Sequence, residues 1–361
     1  MNAQTSLSSL TTLAVGGPAR KLLVATTEAE IIAAVKEADA AGEPLLIIGG
    51  GSNLIVSDEG FAGTVVQIAS KGFVADSQDT CGGASVVVQA GHNWDDFVHQ
   101  AVLHAWSGVE ALSGIPGSAG ATPVQNVGAY GCEVSQTIAA VRTWDRENNA
   151  VRTFTNSELK FGYRESLLKA TTVNGSPRYV VLTVEFQLLL GRMSAPVKYA
   201  ELARRLGVEV GQRGNSLDLR RTVLALRASK GMVLDPSDRD TFSTGSFFTN
   251  PIVSADVAAG LPEDAPRWPA GDLVKLSAGW LIEHAGFSKG FGLAGELSAG
   301  TDDAGTPPRA SLSTKHTLAI TNRGGARAED VLAIAREVRD GVVRKFGITL
   351  VPEPVLVGCT L

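Results

Sequence analysis

The sequence predicts an α+β fold that is divided over two or three domains. Its 361 residues exceed the size at which a single hydrophobic core usually splits. A hydrophobic content of 44% is ample for packed cores. Short apolar runs bounded by glycine or proline, typical of strands, alternate with segments whose apolar residues repeat at helical spacing. These observations together indicate mixed helices and sheets in more than one compact region.

Capping residues and apolar periodicity predict the individual elements. Thr27 and Glu30 form a capping box that begins a helix ended by Gly42, and Asn93 can cap a second helix. Asn148-Asn149 is expected to form a hairpin turn. Further helices are expected from 198, at 217–227, at 272–285 and at 331–346, with strands at 22–24, 45–48, 65–68, 86–90, 141–144, 151–154, 179–190 and 348–355.

Composition and charge argue against several classes of function. No apolar run approaches the ~20 residues that span a bilayer, and the start, M-N-A-Q-T-S-L-S-S-L, lacks the features of a secretory signal. A net charge of −5 without any basic block argues against nucleic-acid binding. Cys81, Cys132 and Cys359 are scattered and are expected to be free thiols. We therefore expect a cytoplasmic protein with no metal, no membrane and no nucleic-acid partner.

The first candidate binding loop follows the apolar strand at residues 45–48. It reads Gly49-Gly50-Gly51-Ser52-Asn53, and its N–H groups and the Ser52 hydroxyl can hydrogen-bond a pyrophosphate without a lysine. It is not a Walker A loop, and Leu54 stands where a Rossmann fingerprint needs its third glycine. A plain tight turn would need fewer glycines, so we favour a phosphate cradle.

A second glycine-rich segment runs from Gly108 to Val134. It holds six glycines and only two charged residues, Glu110 and Glu133, so it is too apolar for an ordinary solvated loop. Glycines at this density let the backbone approach a ligand closely and leave N–H groups free to point at it. Two interpretations stay open: a large ligand with phosphates and a flat ring system, or a buried, tightly turning segment that packs on protein alone.

Residues 114–131 of this segment, G-I-P-G-S-A-G-A-T-P-V-Q-N-V-G-A-Y-G, closely resemble the flavin-binding segment of bacterial UDP-N-acetylenolpyruvoylglucosamine reductases. The resemblance extends through nearly the whole chain. It implies an FAD-binding fold of the vanillyl-alcohol-oxidase type, with two flavin-binding subdomains and an α+β substrate domain. The implied domains are residues 1–70, to which 348–361 return, then 71–229, and a substrate-binding domain at 230–347.

The same resemblance implies the activity and the cofactors. The family uses NADPH as co-substrate and non-covalently bound FAD to reduce a small-molecule UDP-sugar enolpyruvyl ether, UDP-N-acetylglucosamine enolpyruvate, to UDP-N-acetylmuramate for peptidoglycan. The implied FAD-binding residues are Gly49, Gly50, Gly51, Ser52, Asn53, Gly114, Gly117, Ser118, Gly120, Thr122, Gln125, Asn126, Gly128 and Ala129.

The implied catalytic residues lie in three further motifs. Tyr163 and Arg164 belong to F-G-Y-R-E-S, Ser246 to S-T-G-S-F-F-T-N-P, and Glu353 to V-P-E-P near the C-terminus. Without the resemblance, each has a plainer interpretation: a surface ion-pair arginine, a turn serine and a solvated glutamate. The implied substrate-binding residues are Tyr199, Lys230 and Asn250.

Two other functions remain possible at this stage. One is another flavoenzyme of the same fold that oxidises a small alcohol or hydroxy acid. The other is a non-catalytic flavin-binding protein. The motif G-F-G-L-A-G at 290–295 matches G-x-G-x-x-G, but it follows a predicted helix rather than a strand, which argues against a dinucleotide site. Residues 302–308 form a polar insertion that is expected to be an exposed loop.

Overall fold

The computed structural model describes residues 5–79, 82–293 and 308–361, and these form two compact units. The first unit comprises residues 19–51 and 61–233 together with Thr5, and the second comprises 6–18, 52–60 and 234–361. The division into three domains implied by the family resemblance stays a prediction. Cys81, most of the expected loop at 302–308 and the end of the G-F-G-L-A-G motif lie outside the described residues.

The strands are mostly short. Within the described residues, they begin with β1 (Ala19–Ala25), β2 (Leu45–Ile48), β3 (Leu54–Val56), β4 (Phe61–Ile68), β5 (Phe73–Asp79), β6 (Gly83–Gln89), β7 (Trp106–Ser107), β8 (Gly128–Ala129), β9 (Cys132–Glu133) and β10 (Ile138–Asp145). They continue with β11 (Ala150–Thr155), β12 (Thr172–Val173), β13 (Ser176–Pro177), β14 (Tyr179–Leu190), β15 (Ile252–Val253), β16 (Arg267–Ala270), β17 (Leu273–Leu276), β18 (Ala310–Leu312), β19 (Ile320–Asn322) and β20 (Val355–Val357).

Most of the described helices begin at a Ser, Thr or Asn whose side chain caps the first turn. In the described part of the chain they are α1 (Glu28–Ala40), α2 (Trp94–Leu103), α3 (Leu167–Ala170), α4 (Ala200–Leu206), α5 (Ser216–Ser229), α6 (Ala255–Ala259), α7 (Ala278–His284) and α8 (Ala328–Phe346). The predicted caps at Thr27 and Asn93 are confirmed, because their side chains accept hydrogen bonds from the N–H groups of Glu30 and Asp96. None of these helices is long and apolar enough to cross a membrane.

Among the described residues, the first unit has two larger sheets beside the short pairs β12-β13 and β8-β9. In one, β1 and β2 pair in parallel with β4 between them. In the other, antiparallel strands follow the order β11-β10-β14-β6-β5, and β7 also pairs with β14. Helix α1 connects β1 to β2 and buries Ile31 and Val35 in the core. The predicted glycine loop therefore leaves the carboxyl end of a parallel strand, where open α/β sheets commonly bind ligands.

An aromatic cluster fixes α2 against the antiparallel sheet. The rings of Trp94 and Phe97 lie 5.6 and 5.1 Å, centroid to centroid, from the ring of Phe186 on β14. All three side chains are fully buried. The indole N–H of Trp94 also donates to the carbonyl of Leu112, at 3.1 Å. This hydrogen bond ties the packed helix to the start of the second glycine-rich segment.

The second unit packs a long helix against small sheets. Helix α8 buries Val331, Ile334, Val338 and Val342, and it ends at Gly347 as its sequence predicts. Its sheets are β15-β17-β16, the pair β18-β19, and the parallel pair β3-β20. The Asp58 carboxylate, from the loop after β3, accepts hydrogen bonds from the first amides of α8 at 2.8 and 3.2 Å.

Two predicted elements are wrong in part. The expected helix at 272–285 is instead strand β17 followed by the shorter α7. The backbone N–H and C=O groups of Leu273–Leu276 form hydrogen bonds with β15 and β16. The Ser277 side chain then caps α7 by accepting a hydrogen bond from Trp280 N. The expected strand at 348–355 is regular only over Val355–Val357, because Pro352 and Pro354 lack the N–H groups that a ladder needs.

A partly buried ion pair between α2 and α5 gives a stability prediction. The Asp95 carboxylate accepts from both Nη atoms of Arg220 and, at 2.6 Å, from Gly114 N. Burial alone would raise the pKa of Asp95, but the hydrogen bonds from Arg220 and Gly114 outweigh burial and lower it. Because the folded pKa is depressed, this stabilisation is present above the unfolded pKa, about 3.9. It is lost as the pH falls through the folded pKa.

We expect Asp95→Asn to lower the free energy of unfolding at pH 7 by ~3 kcal/mol, because Arg220 would be left buried without its charge partner. The matched control is Asp96→Asn on the same turn, whose exposed side chain should change stability by less than ~0.5 kcal/mol. Urea unfolding followed by circular dichroism measures both. Equal effects of the two substitutions would contradict the assignment.

Candidate active site

The two glycine-rich stretches lie against each other in the first unit. A Cβ on Gly50 would lie 2.6 Å from the Cα of Gly117, and a Cβ on Gly49 would overlap the hydroxyl of Ser118. Only glycine permits this close backbone approach. The loop after β2 and the segment at 117–118 therefore form one continuous backbone surface. We name this surface the glycine cradle.

The backbone N–H groups of the two glycine-rich stretches do not all face the same way. Among the described residues, the amides of Gly50, Gly51 and Ser52 donate to no protein acceptor, as a phosphate-binding loop requires. In contrast, Gly114 N donates to Asp95, and Gly120 N donates to the carbonyl of Ala90 at 2.8 Å. The expectation of free N–H groups is therefore wrong at Gly114 and Gly120, where tertiary contacts use the amide.

The cradle fits an FAD pyrophosphate better than a plain turn. At the carboxyl end of a parallel strand, amide N–H groups that have no protein acceptor can donate hydrogen bonds to phosphate oxygens. Because glycine has no side chain, the loop also leaves room for the phosphate. Gly49–Gly51 and Gly117–Ser118 are accordingly the residues of the first unit that would hold this group. Ser52, the next residue along the chain, belongs to the second unit and is half-buried, and its predicted contact with the cofactor stays a prediction.

We expect Gly50→Ala to lower the FAD content of the purified protein severalfold, because the new methyl group collides with the Gly117 backbone rather than with a flexible side chain. Gly214→Ala is the matched control, since its Cβ would meet only Leu206 Cδ1, at 3.8 Å. The ratio of flavin absorbance to protein absorbance measures the effect. Equal FAD content in the two variants would show that the cradle is not part of the cofactor site.

Other predicted cofactor residues have structural contacts of their own. The buried Thr122 hydroxyl donates to Ala119 O at 2.8 Å, and Gly128–Ala129 form β8, which pairs with β9. Gln125 lies half-buried between them along the chain. Their predicted contacts with FAD stay predictions.

The Asn126 side chain forms three hydrogen bonds with other residues. Its Nδ2 donates to Glu133 Oε2 and to Gly162 O, both at 2.9 Å, and its Oδ1 accepts from Ser135 N at 3.2 Å. The residue is 1% exposed and has a left-handed backbone, with φ of 47°. Its side chain therefore joins the glycine-rich segment to the turn that carries Tyr163 and Arg164. This joining contact was not anticipated from the sequence.

Arg164 lies at the tip of a tight turn in the first unit. Gly162 and Glu165 exchange backbone hydrogen bonds of 3.0 and 3.3 Å, so Tyr163 and Arg164 are the two central residues. The guanidinium Nη2 donates to Gly128 O at 2.9 Å, and the guanidinium carbon Cζ lies 5.4 Å from the centroid of the Tyr163 ring. The structure thus places three predicted site residues, Gly128, Tyr163 and Arg164, together.

Ser246 and Glu353 lie on adjacent backbone segments of the second unit. Phe248 and Pro352 form an antiparallel bridge, and Glu353 N donates to Phe247 O at 2.8 Å. Phe247 and Phe248 are buried, whereas Ser246 and Glu353 are half-buried. The two phenylalanines therefore anchor the serine and the glutamate at the edge of a packed core.

Asn53 connects the end of the first glycine loop to the same pair of segments. Its Nδ2 donates to Glu353 O at 3.2 Å, and its own carbonyl accepts from Val355 N at 3.0 Å. The backbone on both sides of the Glu353 side chain is thus held by hydrogen bonds. Asn53, Ser246 and Glu353 are brought together in the second unit.

Tyr199 and Lys230 both adjoin Glu201 in the first unit. Tyr199 immediately precedes α4 and packs edge-on against Tyr130, with ring centroids 5.5 Å apart. Burial raises the pKa of both tyrosine hydroxyls, so both are neutral near pH 7. Lys230 Nζ lies 3.8 Å from Glu201 Oε2. Asn250, in the second unit, accepts from Ala278 N at 2.9 Å. The predicted substrate contacts of all three residues stay predictions.

Sequence reasoning did not identify Lys169 as part of this region. Its Nζ donates to the carbonyl of Arg164 at 2.8 Å and pairs with Glu165 Oε1 at 3.0 Å. The available signal was the spacing of Glu165 and Lys169, which suits an ion pair on a helix. That spacing gives no hint of the bond to Arg164, because it depends on the shape of the turn.

Comparisons with known proteins agree with this arrangement. Residues 19–153 match the family model described as an FAD binding domain. Residues 235–357 match that described as the C-terminal domain of UDP-N-acetylenolpyruvoylglucosamine reductase. A UDP-N-acetylenolpyruvoylglucosamine reductase of Cutibacterium acnes is 56% identical over 356 residues, covering 98% of this chain and 90% of that protein. One of Thermobifida fusca is 51% identical over 367 residues, covering 98% and 97%.

A solved structure supports the same grouping. The crystal structure of UDP-N-acetylenolpyruvylglucosamine reductase from Thermus caldophilus is 26% identical to this chain, with a TM-score of 0.62 and 98% of each chain covered. The predicted α+β FAD-binding fold is confirmed, and the FAD-binding domain together with the reductase relatives identifies an FAD-containing oxidoreductase. More narrowly, the chain belongs to the UDP-N-acetylenolpyruvoylglucosamine reductase family.

Proposed function

We propose that this protein uses NADPH to reduce UDP-N-acetylglucosamine enolpyruvate to UDP-N-acetylmuramate, a peptidoglycan precursor, in the cytoplasm. Relatives named for this reduction match 98% of the chain, which supports the choice of substrate. The observation within the chain that carries the proposal is the pairing of the Ser246–Phe248 segment with Pro352–Glu353. It gives a hydroxyl and a carboxyl group fixed positions on one half-buried edge.

Bound FAD supplies the two-electron chemistry that links NADPH to the second substrate. Hydride addition at C3 of the enolpyruvyl group develops negative charge that spreads onto the substrate carboxylate. Arg164 stabilises this charge, because a fixed guanidinium acts strongly where water is excluded. Its bond to Gly128 O and its preset turn supply the required fixed orientation.

Ser246 completes the reduction by giving a proton to C2. A serine hydroxyl is a weak acid, but the enolate is strongly basic, and water can replenish the proton.

Glu353 acts on the same developing charge in one of two ways. A protonated carboxyl group donates a hydrogen bond to the enolate, whereas an ionised one orients a water molecule. Tyr199 covers the bound substrate, Lys230 holds its pyrophosphate, and Asn250 is a further substrate-binding residue.

The decisive measurement is the absorbance spectrum of the purified protein. We expect flavin bands at the start, their bleaching by NADPH, and their return on anaerobic addition of the enolpyruvyl nucleotide. A colourless protein would exclude flavin chemistry altogether. Bleaching without recovery would instead favour a flavoenzyme of this fold that acts on another substrate. Bands that NADPH does not change would indicate a flavin-binding protein without this reductase activity.

We further expect FAD to be held without a covalent bond. No histidine or cysteine of the chain lies in a recognised flavin-attachment motif, and the cradle offers hydrogen bonds rather than a nucleophile. Acid precipitation should therefore release all the flavin into the supernatant. The measurement is the absorbance of the redissolved pellet, and flavin retained there would contradict the expectation.

A further inference from the structure

Arg164 has a backbone conformation that an arginine rarely adopts. Its φ is +57°, and it is the second central residue of the turn closed by Gly162 and Glu165. Turns with positive φ only at this position ordinarily have glycine or asparagine there. A residue with a Cβ persists in this conformation only when surrounding contacts hold it, and such residues concentrate at functional sites. The contacts that hold Arg164 are therefore of functional interest.

The turn is held from two sides. At its base, Asn126 Nδ2 donates to Gly162 O at 2.9 Å, from a side chain that is itself buried and fully bonded. After its tip, Lys169 Nζ donates to Arg164 O at 2.8 Å. The second bond fixes the peptide plane that follows Arg164. It thereby fixes the direction in which the arginine side chain leaves the backbone.

We propose that Lys169 is a positioning residue for the reduction step and presets the conformation from which Arg164 acts. The inference rests on the proposed function, because it assumes that Arg164 stabilises the charge formed on the substrate. Lys169 extends from α3, whose start is fixed by the Ser166 hydroxyl, which accepts from Lys169 N at 3.1 Å. The ammonium group therefore reaches the Arg164 carbonyl from an anchored backbone.

The plainer interpretation is a surface ion pair between Lys169 and Glu165. Their side chains are 32% and 58% exposed, and an exposed pair at this helical spacing contributes little to stability. The bond to the carbonyl is different, because it is charge-assisted and lies next to the residue in the strained conformation. The two interpretations differ in what happens when only the Glu165 carboxylate is removed.

Three substitutions separate these roles. Lys169→Met removes both contacts, Glu165→Gln removes the ion pair but keeps the bond to Arg164 O, and Lys169→Arg keeps a charged donor. We expect Lys169→Met to slow reoxidation of the NADPH-reduced protein by the enolpyruvyl substrate by ~10-fold, the scale of a misplaced catalytic group. We expect Glu165→Gln to react like the unsubstituted protein, and Lys169→Arg to regain most of the lost rate.

The measurement is stopped-flow absorbance of both half-reactions, beside FAD content and melting temperature. Reduction by NADPH, FAD content and melting temperature should stay nearly unchanged in all three variants, because the Lys169 side chain is partly exposed. If Lys169→Met does not fold, Lys169→Ala, which also removes the donor, takes its place with the same expected split.

Three results would overturn the inference: an unchanged reoxidation rate in Lys169→Met, equal slowing in Glu165→Gln, or equal loss of both half-reactions. Failure of the proposed function itself is distinguishable, because then the unsubstituted reduced protein would not be reoxidised by the substrate. In that case the proposed role of Lys169 in the reduction would also be wrong.

Discussion

Ser246→Ala should slow reoxidation of the reduced protein by the enolpyruvyl substrate by at least ~10²-fold, the usual scale for lost acid catalysis. Reduction by NADPH should stay nearly normal, because that step needs no proton at substrate C2. The substitution removes one oxygen from a half-buried side chain and leaves the buried anchors Phe247 and Phe248 in place. We therefore expect a folded, FAD-bound variant in which a single half-reaction is impaired.

Two further variants test whether the proton is the cause. Ser246→Cys keeps a group that can donate a proton, and it should retain more reoxidation than Ser246→Ala. Ser243→Ala removes a hydroxyl from the same segment, where it accepts from Gly245 N at 3.1 Å, and it should affect stability more than chemistry. Stopped-flow absorbance at the flavin band measures both half-reactions. If both half-reactions of Ser246→Ala fall equally, Ser246 is not the proton donor.

Local physical signals account for the elements that were predicted correctly. The Thr27 and Asn93 caps and the terminal Gly347 act within one turn of the residues that they affect, so the sequence alone displays them. The segment at 272–285 shows where prediction from local sequence signals fails. Its apolar spacing suits a helix, but Leu273–Leu276 finds strand partners in β15 and β16, which lie elsewhere in the sequence.

Some features of the candidate site could likewise be predicted from the sequence, whereas others could not. Glycines that permit close backbone approach could be recognised, and Gly49 and Gly50 do lie against Gly117 and Ser118. The direction of each amide could not be predicted, because Gly114 N is used by a carboxylate nineteen residues away in sequence. Likewise, resemblance points to Arg164, but only the three-dimensional structure shows that Asn126 and Lys169 donate hydrogen bonds to its turn.

Arg164 and Glu353 supply the second large expected effect. Arg164→Lys keeps the positive charge but loses the planar fork of donors, so it tests geometry rather than charge. We expect reoxidation by the enolpyruvyl substrate to fall by ~10²-fold, the scale seen when one donor to a developing oxyanion is removed. The substitution leaves the turn itself intact, because the Gly162–Glu165 hydrogen bonds join backbone atoms and Lys169 Nζ donates to the backbone carbonyl of Arg164.

Glu353→Gln and Glu353→Ala distinguish the two possible roles of the carboxyl group. Glutamine keeps the size of the side chain and a hydrogen-bond donor but cannot ionise. If Glu353 acts as a neutral donor, Glu353→Gln should retain far more reoxidation than Glu353→Ala. If it acts in the ionised form, the two variants should be similarly slow. Both should fold, because the bonds to Phe247 O and from Asn53 Nδ2 use the Glu353 backbone.

A merely structural ion-pair role for Arg164 and Glu353 predicts the opposite pattern. Substitution would then lower the melting temperature and the FAD content, while the protein that remains folded would reduce the substrate at a normal rate. A catalytic role leaves melting temperature and FAD content nearly unchanged and slows only reoxidation. Stopped-flow reoxidation of the pre-reduced variants, compared with their thermal unfolding, separates the two. We expect the catalytic pattern, because the backbone contacts that hold both residues do not depend on the side chains that are changed.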